Sequence, residues 1–276
     1  LARGNITLLT KAQVVKINMT GNSVSGVTFK HKRKIHSVEA NKEVILSGGA
    51  INSPHILMIS GIGPSDHLRE HGIDVHVDLP GVGQNLQDHS CVILQYECKK
   101  SFPIHKVNQP HRKLATGIRW VFTRKGIGAS NIWEAGGLIR SSSKAAYPDI
   151  QYHFGPVGFE YDDNKISLLQ AFAIHVDQLR PRSRGQITLK SANPLEKPLM
   201  TFNYLQDPED LAEMLKGVKK ARELISQRAF DEFRGQELMP GQEVQSDAGL
   251  VQFIREAAET DYHPSCSCAM GSGEMA

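Results

Sequence analysis

The run Glu43-Val44-Ile45-Leu46 feeding into Ser47-Gly48-Gly49-Ala50 constrains the fold more than any other stretch. A short, continuously apolar segment of this kind is typical of a strand buried on both faces of a parallel sheet, so a strand is expected over Glu43–Leu46. The small residues behind it predict a tight turn. Asn52-Ser53-Pro54 then opens a helix, with a capping side chain just ahead of a first-turn proline. Strand, turn and helix in this order are the repeating unit of an α/β sheet. The turn has two readings. Its small residues let a ligand approach the backbone, and the helix offers free N–H groups and a positive dipole end to an anion; or it is only a close connection. It is not the dinucleotide fingerprint, because no Gly-x-Gly-x-x-Gly stands between a strand and a helix.

Around this unit the pattern changes once. Ile6–Thr10 and Val14–Met19 have the alternation of strands, and Ser25–Lys30 with Ile35–Glu39 reads as a hairpin tipped by Lys30–Lys34. Ser65 starts a short helix that Gly72 closes. Beyond the loop Leu79–Asp88, Val92–Cys98 alternates like a half-buried strand and Lys113–Thr123 reads as a helix. Gly136–Arg140, Ile150–Phe154, Leu168–Val176 and Gln186–Lys190 look like strands of a mostly antiparallel sheet. Asp207-Pro208-Glu209-Asp210 and Ser246-Asp247 start two amphipathic helices, and the second delivers the chain to Tyr262-His263-Pro264. The expected fold class is an α/β piece followed by an α+β piece.

Composition excludes several functions. No apolar run approaches the roughly 18 residues a membrane helix needs. The net charge of +3 is small and the basic residues are scattered, so nucleic acid is not an expected partner. Four cysteines give no disulfide framework in a chain of 276 residues, and the Cys266-x-Cys268 pair has no second pair at zinc spacing. Reduced thiols and no metal are expected; a metal reading through Cys266, Cys268 and His263 is the weak alternative. The chain starts at Leu1 and stops after a Gly-rich turn, so an internal piece of a longer protein is expected and its compartment is unreadable: cytoplasmic or membrane-associated in a bacterium, mitochondrial in a eukaryote. In the last motif, Pro264 pushes His263 toward an extended backbone at a helix-to-loop transition.

Three stretches resemble signatures of the glucose–methanol–choline (GMC) oxidoreductases. They are Gly49-Ala50-Ile51-Asn52-Ser53-Pro54 through Ser60-Gly61-Ile62-Gly63, Gly81-Val82-Gly83-Gln84-Asn85-Leu86-Gln87-Asp88-His89, and Tyr262-His263-Pro264 through Met270-Gly271. Gly128-Ala129-Ser130-Asn131, Glu134-Ala135-Gly136-Gly137, Arg182-Ser183-Arg184-Gly185 and Lys190-Ser191-Ala192-Asn193-Pro194 resemble the choline-oxidising branch. The resemblance implies FAD as cofactor. It also implies a partial Rossmann-like FAD-binding domain over 1–88, a substrate domain on an antiparallel sheet flanked by helices over 89–261, and an active-site loop over 262–276 that returns to the FAD domain. Val14 matches a position whose backbone holds the adenine, and Ser47, Gly48, Gly49 and Ala50 match the strand end beside the adenosine and pyrophosphate. His263 matches the catalytic base, suited to taking a hydroxyl proton as hydride passes to the flavin. Tyr262 matches an aromatic of the substrate pocket, where a ring can face a quaternary ammonium.

Two departures stand out. The glutamate that pairs with the trimethylammonium group in choline-oxidising relatives falls at Cys91, and a thiol cannot supply that charge. The amino-terminal phosphate-binding unit and the carboxy-terminal segment with a second active-site residue are absent, so the piece alone is expected to bind FAD poorly. The resemblance implies oxidation of an alcohol CH–OH, choline to betaine aldehyde, with a neutral primary alcohol or a non-catalytic binding role as alternatives. The electron acceptor is unknown, and membrane association, seen in some relatives, has no local signal.

Overall fold

A computed structural model describes residues 3–101, 103–107, 109–162 and 165–276. In chain order the elements are β1 (Ala12–Thr20), β2 (Ser23–His31), β3 (Lys34–Glu39), α1 (Gly49–Ile59), β4 (Ile62–Gly63), α2 (Ser65–Glu70) and β5 (Val77–Asp78). Then come β6 (Ser90–Cys98), α3 (Pro110–Thr123), β7 (Ala135–Ile139), β8 (Ile150–Gly155), β9 (Gly158–Asp162), β10 (Lys165–Leu169) and β11 (Ala171–Gln178). The last are β12 (Gln186–Thr188), β13 (Leu199–Thr201), α4 (Pro208–Ile225), β14 (Arg234–Met239), α5 (Asp247–Ala257) and β15 (Glu259–Thr260). Among the described residues, no helix is long and apolar enough to cross a membrane.

Two compact units divide the chain. One runs up to Asp88 and takes in residues 184–203 and 263–276; the other holds 89–183 and 204–262. The sequence assigned 184–203 to the second domain, but β12 and β13 pack in the first, where Ile187 and Leu189 share a buried cluster with Met58, Leu68, Val82 and Leu86. The expected domain start at Leu1 lies outside the described residues.

In the first unit β1, β2 and β3 form an antiparallel sheet. Two expected strands do not form. Ile6–Thr10 and Glu43–Leu46 join no ladder, and Leu8 and Ile45 are 66% and 78% exposed. A strand is stabilised by its neighbours, and no described strand lies beside either segment. The helix expected from Asn52 begins earlier, at Gly49, because the Gly48 N–H donates to Ser53 Oγ at 3.1 Å; Ser53 reaches back over the first turn instead of opening it. Pro54 therefore lies inside α1.

The second unit is built on a sheet in the order β14-β6-β11-β8-β7, with β15 also pairing β6. The expected strand Leu168–Val176 is broken at Gln170 into β10 and β11, and β6 is buried on both faces rather than one. Alternation sorts the two faces. Val92, Leu94 and Tyr96, Ile150 and Tyr152, and Phe172, Ile174 and Val176 point into one apolar cluster with Leu211, Met214, Val218 and Ile225 of α4 and Leu250 and Ile254 of α5. Each such side chain, fully buried, contributes roughly 1.5–3 kcal/mol, so this face dominates the unit's stability. Gly217 allows the close helix–sheet approach: a Cβ there would lie 2.9 Å from Val176 Cγ1.

The start of α4 is an acidic knot. Asp207 caps the helix by accepting from the Glu209 N–H. Fully buried Asp210 accepts from the Arg182 and Ser183 N–H groups and the Ser183 hydroxyl, which accounts for the Arg182-Ser183 part of that motif. Next to it Glu213 accepts from Gln178 Nε2 at 2.5 Å; burial, and then the neighbouring Asp149 and Asp210, push its carboxyl up to about 7. A carboxyl raised on folding contributes stability that is full below its ordinary value of 4.5 and is lost as pH rises through about 7. In urea unfolding, wild type should therefore lose stability relative to Glu213→Gln between pH 4.5 and 8; parallel profiles would show that the carboxyl titrates normally.

Candidate functional site

The polar face of the β6–β11–β8 sheet floors a cavity of about 510 Å³. Register explains what collects there. Cys91 on β6 stands between Glu259 on β15 and Asp177 on β11, and Asp177 in turn opposes Gln151 on β8. Two residues along, Ile93 opposes His175, which opposes His153. Residues two apart share a face, so both rows look the same way. Trp133, Phe159, Asn131, Asp261 and Tyr262 complete the wall. Trp133 lies across Gly155, where a Cβ would sit 2.4 Å from the ring, and its ring meets His175 edge-on at 4.4 Å. Gln95 fixes Phe159 by a reciprocal pair of hydrogen bonds, accepting from its N–H and donating to its carbonyl.

The electrostatics of this floor are unusual for a sheet face. Asp177 is completely buried, with His153 Nδ1 2.8 Å from Oδ2. Burial pushes its carboxyl up to about 7, Asp261 adds to the rise and the Cys91 thiol opposes it. Burial, then Asp177, pushes the Cys91 thiol far up, so it is protonated at neutral pH. Burial, then His153, pushes His175 down to about 4, so its ring is neutral and the Cys91 Sγ–His175 Nδ1 contact of 3.5 Å joins two neutral groups. A thiol, two imidazoles and three carboxylates thus crowd one floor that carries no lysine or arginine among the described lining.

In the first unit, two ties hold the last motif. Asp88, buried, accepts the His263 backbone N–H at 2.8 Å, and Gln87 and Ser265 exchange backbone hydrogen bonds. The second tie begins with Pro54. A proline has no N–H for the carbonyl four residues back, which is Ala50. That carbonyl accepts instead from the buried Ser267 hydroxyl.

Val14 lies on β1 opposite Phe29 and beside a bulge. Gly49 has φ +75° with open space where a Cβ would stand, at the amino terminus of the eleven-residue α1. A negatively charged group can approach that backbone as the sequence suggests. The structure therefore brings Ser47–Ala50 and the His263 loop together through Ser267, and it brings Cys91 and Tyr262 together in the second unit's cavity. Tyr262 has φ +62° and is 82% exposed. Cys266 and Cys268 are both exposed and unbridged. His67 on α2 and His71 just past its end make no metal pair, since His67 Nε2 accepts from the Leu189 N–H. Sequence reasoning missed His153, His175, Asp177, Trp133 and Glu259. The available signal was polar residues alternating with Ile174 and Val176 in an otherwise apolar strand. Ser267→Ala should strand the Ala50 carbonyl and cost about 1–3 kcal/mol, seen as a lower melting temperature and weaker flavin retention in the full-length protein; an unchanged pair of values would show that the tie carries no weight.

Two models of the same family, GMC oxidoreductase, match residues 1–91 and 181–276. The chain is 44% identical over 277 residues to an oxygen-dependent choline dehydrogenase of Staphylococcus xylosus, covering 100% of this chain and 49% of that protein. It is 42% identical over 271 residues to the protein of the same description from Staphylococcus aureus strain JH9, covering 98% and 48%. The chain thus spans about half the length of the curated relatives it matches. Among solved structures it superposes on a formate oxidase with TM-score 0.86 at 24% identity, over 96% of this chain and 51% of that one. A pyridoxine 4-oxidase from Mesorbium loti gives TM-score 0.81 at 26% identity, over 99% and 50%.

Proposed function

Because this chain belongs to the GMC oxidoreductases, we propose that it is the substrate-binding and base-bearing part of an FAD-dependent enzyme oxidising an alcohol CH–OH to the aldehyde, with choline as substrate and betaine aldehyde as product. The description of the staphylococcal relatives supports the substrate class. The observation that carries the reading is the cavity floor in which Cys91 is flanked by Asp177 and Glu259, with Asp261, Trp133 and Phe159 around it.

Cys91 cannot pair with a quaternary ammonium, but its neighbours supply the field. At about 4 Å and an effective dielectric near 20, one carboxylate attracts a unit charge by about 4 kcal/mol. A ring face adds about 0.5–2 kcal/mol. Two or more carboxylates near the cavity therefore outweigh the loss of a single acid at position 91. Neutral alcohols gain nothing from this field, which sets them second.

Ser47, Gly48, Gly49 and Ala50, with Val14, would hold the adenosine and diphosphate end of FAD, and the open backbone at Gly49 fits a phosphate. Bound FAD would supply hydride acceptance. The protein's own work is proton transfer and positioning. His263 takes the hydroxyl proton, and Asp88 holds the backbone that carries its ring. Tyr262, directly before it in the chain, closes the cavity wall. A positioned base of this kind is worth roughly 10²–10⁴ in rate.

The test uses the full-length flavoprotein kept free of oxygen, with choline or its neutral isostere 3,3-dimethyl-1-butanol added while the flavin absorbance is followed. Choline should bleach the flavin, and His263→Ala should slow that bleaching by roughly 10²–10⁴. Bleaching by the neutral alcohol alone would remove choline and keep the chemistry; no bleaching by any alcohol would remove both.

A further inference from the structure

The cavity floor assigned above to the substrate's cation also gathers a set of side chains able to hold a different ligand. Cys91 Sγ, a His175 ring nitrogen and a carboxylate oxygen from each of Asp177 and Asp261 all lie within 4.8 Å of one another. We propose that these four residues bind a zinc ion, and that the site is inhibitory. The donors come from positions 91, 175, 177 and 261, on two strands and the segment after β15, which is why no local spacing betrayed them.

The donor set suits zinc. Thiolate, imidazole and carboxylate together favour a borderline-soft ion over calcium or magnesium, which take oxygen alone. In a tetrahedral zinc site with Zn–S near 2.3 Å and Zn–N near 2.05 Å, the S···N edge is roughly 3.5 Å. The Cys91 Sγ–His175 Nδ1 edge is already 3.5 Å. The four ligand atoms lie within 4.8 Å of one another, so the wider edges draw inward on binding.

The independent observation is Asp177. Its side chain is 0% exposed and neither carboxylate oxygen has a hydrogen bond of good geometry, its close neighbours being the His153 ring and the Cys91 thiol. An ionised carboxylate left so is expensive by several kcal/mol unless a cation pairs with it. His153 Nδ1, 2.8 Å from Oδ2, stands where a positioning partner behind a metal-bound carboxylate stands. On binding, zinc replaces the proton of the Cys91 thiol, which leaves to solvent, and a Zn–S bond forms with no change of oxidation state. Cys91, His175 and Asp261 line the cavity, so the ion has a route in. Once there it takes the acidic floor assigned above to the substrate's cation, and only this inhibitory consequence rests on that assignment.

The experiment counts zinc rather than turnover, so it is independent of the substrate. Full-length flavoprotein carrying Cys266→Ser and Cys268→Ser, which removes the exposed thiols, is dialysed against zinc alone and its bound metal measured by mass spectrometry. Cys91→Ser and Asp177→Asn are then added singly, with flavin content reporting the fold. One zinc per chain is expected in the parent, weakened about tenfold or more in each variant. Absence of stoichiometric zinc in the parent, or unchanged affinity in Cys91→Ser, would overturn the proposal. Should Asp177→Asn lose its flavin, Cys91→Ser decides alone.

Discussion

The first unit depends on a carbonyl that its own helix cannot satisfy. Pro54 deprives Ala50 of the usual partner, and the hydroxyl of Ser267, 217 residues later in the chain, takes its place. This makes the Gly-Gly-Ala turn and the last loop one structure. Any other residue at position 54 would offer the Ala50 carbonyl an N–H from its own helix, and the Ser267 hydroxyl would no longer be its sole replacement donor. The buried Asp88 carboxylate accepts from the His263 amide, so the loop is tied at two points, once by a distant side chain and once through its own Ser267, to motifs far away in sequence. A side chain whose backbone lies outside any helix or strand needs such fixing to be held in one place.

The second unit solves a different problem. Its sheet is stabilised almost wholly from one face, where the β6, β11 and β8 side chains meet α4 and α5. That surplus lets the opposite face hold groups that oppose folding, including a carboxylate with no exposure at all. The two faces are coupled through strict alternation. A one-residue slip of β11 would drive Asp177 and His175 into the apolar cluster and bring Ile174 and Val176 onto the cavity floor. The polar floor is therefore protected by the cost of disordering the apolar face.

Much of this was legible in the sequence and some was not. The helix starts at Asp207 and Ser246, the hairpin tip at Lys30–Lys34 and the break after Asp88 are local signals and could be read locally. Glu43–Leu46 and Ile6–Thr10 carry good strand patterns, yet pattern only states what a segment would do beside a partner. The return of 184–203 to the first unit is invisible for a like reason: its Ile187 and Leu189 would serve either core. Cys91 was recognised as a departure, but the carboxyl groups of Asp177 and Glu259 beside it were not. Those are its neighbours across the strands, and nothing in one chain's linear order announces a cross-strand row.

That row has a consequence for how such proteins diverge. Positions 259, 91 and 177 are adjacent rungs on one face. A negative charge can leave one rung and reappear on the next while the backbone, the floor and the cavity stay as they are. Position 91 can be uncharged while the row stays acidic through the carboxyl groups on either side of it.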